Sequence, residues 1–71
     1  MSRYLVIIEE STTGFSAFVP DLPGCIATAA TLEDLVGSMR EGVEFHLEGL
    51  RDAGEPVPPP RSSATYVEVA A

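Results

Sequence analysis

The chain has a single cysteine, four basic residues and no long hydrophobic run. A lone thiol, Cys25, excludes an intramolecular disulfide and leaves a zinc cluster short of ligands. It fits a reducing compartment. The apolar run near the N-terminus, Tyr4 to Ile8, is five residues long and ends at two glutamates. That is too short for a signal-peptide core or a membrane span, so the cytoplasm is the expected location. All four basic residues are arginines (Arg3, Arg40, Arg51 and Arg61), scattered along the sequence against eleven acids, for a net charge of −7. A nucleic-acid binder needs a basic footprint to exchange for counterions, and no such cluster is visible in the sequence. Direct DNA or RNA binding by this chain alone is therefore not expected. The acidity suits steering toward a basic partner, although taken alone it is explained by solubility.

What is present is patterning. At 71 residues there is room for one domain, expected over 1–71. A chain this short buries only about 60% of its unfolded surface, so its stability alone should be modest. Arg3 to Glu10 reads as a strand that is apolar on both sides: Tyr4, Val6 and Ile8 on one, Leu5 and Ile7 on the other. Ser11 to Gly14 reads as a hairpin loop, and residues 14–19 as a second, alternating strand. Pro20 ends that strand because it cannot donate to a ladder. Asp21, Pro23 and Gly24 form a tight corner, with Asp21 expected to bond its own backbone. Residues 25–29 make a third strand.

Thr31 is placed to cap a helix over about 32–53, with Glu33 and Asp34 in the first turn, where the helix dipole favours negative charge. Leu32, Leu35, Val36, Met39, Val43, Leu47 and Leu50 keep the 3-4 spacing of an apolar stripe. Gly54 suits the position after the helix, and Pro56 stops its continuation. Glu55 to Pro60 reads as a stiff extended crossover, and 64–69 alternates again as a last strand. The expected fold is α+β, in the order β-β-β-α-β. A right-handed crossover would lay the last strand beside the first, in a four-stranded mixed sheet of order 3-2-1-4 with the helix on one face.

The strand Tyr4–Glu9, the turn Thr13-Gly14, the corner Pro20-Asp21-Leu22-Pro23-Gly24-Cys25, the helix opening Thr31-Leu32-Glu33-Asp34 and the exit Asp52–Pro58 occur in a specific order. In that order and spacing the chain resembles the HicB-like antitoxin family over nearly its whole length. The resemblance implies a truncated ribonuclease-H-like fold and a role in a toxin-antitoxin system. The implied partner is a small basic RNA-cleaving toxin of the HicA type, whose RNA-binding and catalytic surface the antitoxin would mask. Many such proteins carry a further C-terminal DNA-binding domain. This sequence stops before one could begin, which puts operator binding in doubt.

Candidates for chemistry are few. His46, the only histidine, falls at the edge of the apolar stripe and reads as a half-buried structural residue. Cys25 has no basic neighbour to lower its pKa and reads as a small core residue. Glu41, Glu44, Glu48 and Asp52 form an outward helix face, the usual pattern of a solvated helix, and no carboxylate cluster suggests a metal site. The expectation is a non-enzymatic protein with no catalytic, metal or cofactor residues, and a nuclease ranks last among the alternatives. Phe45 stands among those acids, so Glu41, Glu44, Phe45, Glu48 and Asp52 are the candidate partner-binding residues. An isolated exposed aromatic is also common, and that reading stays open. Gly42 and Gly49, seven apart on one helix flank, suggest close approach of a strand or a second subunit. A first strand apolar on both sides, with one helix to cover it, points to a homodimer or higher oligomer. The alternative function is a homo-oligomeric structural or regulatory domain without a toxin.

Overall fold

The computed structural model describes residues 2–71; Met1, the first residue of the expected domain, lies outside them. Three strands and one helix follow one another: β1 Ile7–Ser11, β2 Gly14–Phe18, β3 Ile26–Ala29 and α1 Leu32–Asp52. The strands form an antiparallel sheet in the order β1-β2-β3, with β2 central. Ile7 pairs with Phe18 and Ser11 with Gly14 across the first hairpin, and Phe15 pairs with Ala29 across the second contact.

The expected four-stranded sheet of order 3-2-1-4 is not formed. Residues 64–69 alternate as a strand should, but among the described residues they have no ladder partner and lie exposed. Alternation makes a segment fit for a sheet; it does not bring the segment to an edge. Here the chain after the helix is led elsewhere. Tyr4 donates its hydroxyl to the carbonyl of Pro58. Three residues later the backbone N–H groups of Arg61 and Ser62 each donate to one carboxylate oxygen of Asp21, at 2.9 Å. The Ser62 hydroxyl donates to the other oxygen at 2.8 Å. This anchor carries the tail past the sheet, and the molecule is correspondingly long, 48 × 26 × 20 Å. As a result β1, expected inside the sheet, is an edge.

The first strand is also shorter than the expected 3–10. Residues 2–6 overhang the end of β2, where no ladder can continue. The Val19 N–H points to the β3 side, donating to the Cys25 carbonyl at 3.1 Å, and Pro20, next on the β1 side, has no N–H to offer.

The core lies between α1 and one face of β2 and β3. It consists of Ala17 and Val19 from the end of β2, Leu22 and Cys25 from the corner, and Leu35 and Met39 from the helix. Leu22 and Leu35 are fully buried, each with 0% of its surface exposed. The corner is thus more than a change of direction, since it inserts Leu22 into the core. Backbone bonds from Leu22 N–H to Val19 O and from Cys25 N–H to Leu22 O, both 3.1 Å, hold it there. Gly24 turns the chain with φ at +86°, a region where a side chain is strained.

The helix begins and ends where its sequence says it should. Thr31 accepts the Asp34 N–H on its hydroxyl at 3.1 Å, satisfying one of the free donors of the first turn. At the other end Gly54, at φ +70°, donates to Arg51 O and Glu55 donates to Leu50 O. These are the paired bonds of a Schellman motif. Not all of the apolar stripe is covered. Leu32 and Val36 remain about half exposed, because the helix lies over β2 and β3 and leaves its β1-facing flank open.

Candidate functional site

The open flank of the helix and the overhanging first strand enclose a groove of about 720 Å³. Val6 and Ile8 form one wall, and Val36, Val43 and Leu47 the other. Each wall follows from a local pattern. Val6 and Ile8 point to the helix side because strand residues two apart share a face. Val36, Val43 and Leu47 share a helix flank because they are seven and four residues apart. Neither wall is closed over, since among the described residues β1 has a neighbour on one edge only.

The rim of the groove is basic. Arg3, Arg40 and Arg51 all line it, with Glu44 as the acidic residue among them. Three of the four arginines of a chain with net charge −7 therefore converge on one feature. The sequence shows them as scattered, and they are: only the fold brings residues 3, 40 and 51 to one place. The helical spacing of 40 and 51, three turns apart, was the one available signal.

Four of the five residues expected to bind a partner lie elsewhere, and the fifth, Glu44, is on the groove rim. Glu41, Glu44, Phe45, Glu48 and Asp52 are all exposed on α1, Phe45 with 78% of its surface free. At 100° per residue, Phe45 and Asp52 fall on the helix flank away from the groove, Glu41 and Glu48 on the back, and Glu44 on the groove rim. The helix thus presents two distinct surfaces, an acidic back carrying Phe45 and a basic-rimmed apolar flank.

The remaining candidates have structural places. Cys25 is buried beside the helix, and burial pushes its thiol pKa up from the ordinary 9.0. A Cβ added at Gly42 would stand 3.9 Å from the Cys25 sulfur, an ordinary contact, so Gly42 faces the start of β3 at close range. Gly49 has nothing within 4 Å of such a Cβ. His46 is half-buried on the sheet side of the helix. Among the described residues, no group of three or more His, Cys, Asp or Glu is placed to hold a metal ion, and no helix is long and apolar enough to cross a membrane.

Asp21 is the acid with the most defined surroundings. The two backbone N–H groups and the hydroxyl of residues 61 and 62 hold its carboxyl below the ordinary value of 3.8, the Ser62 N–H contributing most. Asp21 does not bond its own turn, as its place in the corner predicts, but the segment after the helix. Its partners are forty residues away, and nothing local could have named them.

A small antiparallel sheet backed by one capped helix thus carries two defined surface features, an acidic helix face and an apolar groove. The chain belongs to the HicB-like antitoxin family: the family model described as HicB_like antitoxin of bacterial toxin-antitoxin system matches residues 4–70. A chain from a solved HicA3 and HicB3 toxin-antitoxin complex superposes with a TM-score of 0.71 and 32% identity, over 83% of this chain and 70% of that one. An uncharacterized 14.9 kDa protein of Haemophilus phage HP1 is 31% identical over 64 residues, 90% of this chain. This chain spans 48% of the phage protein, about half its length. A UPF0150 protein of Thermoplasma acidophilum is 30% identical over 68 residues, 94% of this chain and 96% of its own length.

Proposed function

We propose that this chain is the antitoxin of a toxin-antitoxin pair and neutralises a small, basic, RNA-cleaving toxin of the HicA type by covering its RNA-binding and catalytic surface. The observation that carries the reading is the likeness to a chain of the HicA3 and HicB3 complex, at 32% identity and over 83% of this chain. The contact surface is the acidic back of α1. Phe45 is the apolar anchor, because a large ring left 78% exposed among like charges is a residue awaiting a partner. Glu41, Glu44, Glu48 and Asp52 supply the field that draws a basic protein in and orients it. The protein acts by binding and carries out no reaction of its own.

The protein also acts as a homo-oligomer. Support comes from apolar surface that one chain leaves open. On the sheet face away from the helix, Ile7, Phe18 and Ile26 pair in one row across the three strands, and Ile26 is 74% exposed. The groove beside α1 is a second such surface.

The test is titration against the product of a neighbouring HicA-like gene, read by calorimetry and by protection of RNA from cleavage. Tight binding with protection supports the antitoxin. Absence of binding overturns it and leaves the oligomeric domain.

A further inference from the structure

Two unpaired features of this molecule complement one another. The first is the groove: an open edge of β1, apolar walls on the strand and on the helix, and three arginines at the rim. The second is the tail beyond Ser62. Thr65, Val67 and Val69 alternate there with Tyr66 and Glu68, and the two valines are 77% and 76% exposed. A strand with a valine face and no sheet lies free in the same molecule as a sheet edge and apolar walls with no strand.

The tail is kept from its own groove by the Asp21 anchor. At Pro58 the chain passes Tyr4, from where it could run on beside β1. Three hydrogen bonds instead hold residues 61 and 62 at Asp21, in the corner between β2 and β3, and residues 63–71 are all exposed. The anchor thus leaves the tail without a sheet partner among the described residues.

We propose that residues 64–69 of one copy lie in the groove of a second copy, pairing with the free edge of its β1 and inserting Val67 and Val69 between Val6 and Ile8 on one side and Val36, Val43 and Leu47 on the other. The exchange is mutual, so the same tail and the same groove are used twice and the assembly closes as a two-fold dimer. Charge selects this occupant over a basic one. Arg3, Arg40 and Arg51 at the rim disfavour a cationic partner and attract an acidic one, and a second copy of this chain carries a net charge of −7. Pairing also covers the β1 edge, which otherwise offers its N–H and C=O groups to any passing strand. Phe45, Glu41, Glu48 and Asp52 stay outside this contact and Glu44, on the groove rim, is common to both, so self-association and toxin binding use largely different surfaces. The inference deepens the homo-oligomeric part of the proposed function and is independent of the toxin.

The test uses two full-length variants and the unaltered protein, read by light scattering and sedimentation. Val67→Asp with Val69→Asp spoils the tail; Val36→Asp, at an exposed helix position, spoils the groove. Each alone should weaken dimerisation about a hundredfold or more, giving monomers at micromolar concentration. Circular dichroism verifies that both remain folded. Mixed together, they should re-form a dimer containing one chain of each kind, because the sound tail of one still meets the sound groove of the other. Folded variants that are monomeric alone and stay so on mixing overturn the exchange, because a sound tail and a sound groove then fail to meet. A dimer unaffected by either variant overturns it in favour of another interface, such as the Ile7-Phe18-Ile26 face, and leaves the oligomeric reading standing. A monomeric unaltered protein overturns both.

Discussion

Ser62 gives both its backbone N–H and its hydroxyl to the carboxylate of Asp21, at 2.9 and 2.8 Å, across forty-one residues of sequence. With the Arg61 N–H on the same carboxylate, this contact decides where the last ten residues go.

Asp21→Ala should release that segment. The amide protons of Arg61 and Ser62 should lose their protection from exchange, while those of α1 keep theirs. Acid should act in the same way. The folded-state pKa of Asp21 lies below its ordinary 3.8, so the anchor stabilises the folded chain above that value and is lost as the pH falls through the lowered one. Nuclear magnetic resonance titration of the Ser62 amide, moving with the Asp21 carboxyl, is the measurement. A Ser62 signal indifferent to Asp21 ionisation contradicts the assignment.

The helix stripe should divide by position. Leu35→Ala removes a fully buried side chain and should cost about 2–5 kcal/mol, whereas Leu32→Ala, at a site 48% exposed, should cost far less. Urea unfolding of the two variants checks it, and equal losses would show that Leu32 is covered in solution.

Two glycine substitutions should move stability in opposite directions. Gly14→Ala places a methyl 2.5 Å from the Ala29 carbonyl oxygen, in a backbone with φ at +149°, and should be strongly destabilising. Gly49→Ala meets nothing within 4 Å in a helix and should stabilise by roughly 0.5–1 kcal/mol. Thermal melts of the two variants read the sign directly.

Cys25 should behave as a core residue. Burial raises its thiol pKa, so at neutral pH iodoacetamide should label it slowly in the folded protein and rapidly in urea. Fast labelling of the folded chain contradicts its place beneath α1.

Much of this was legible in the sequence because it is local. Thr31 as cap, Gly54 as the residue after the helix, the breaks at Pro20 and Gly24, and the Leu35–Met39 side of the stripe each follow from a residue and its near neighbours. The last strand failed for a reason of range. Residues 64–69 carry a strand pattern, but pairing depends on where Asp21 sends Arg61 and Ser62, and no periodicity encodes that. The burial of Leu22 was hidden because a leucine between two turn residues breaks no pattern. The basic rim was hidden because Arg3, Arg40 and Arg51 meet only after folding. The Glu41–Asp52 face could be placed on the helix from spacing alone, yet spacing does not say what covers it.

Toxin binding through that face is the central claim, and one titration tests it most directly: the HicA-like gene product against the unaltered chain, Phe45→Ala, and the pair Glu41→Lys with Glu48→Lys. The account predicts tight binding by the unaltered chain, faster dissociation for Phe45→Ala by about tenfold or more, and slower, less salt-dependent association for the charge-reversed pair. Unchanged rates in both variants would contradict the assignment of the acidic helix face, and no binding by the unaltered chain would contradict the antitoxin itself.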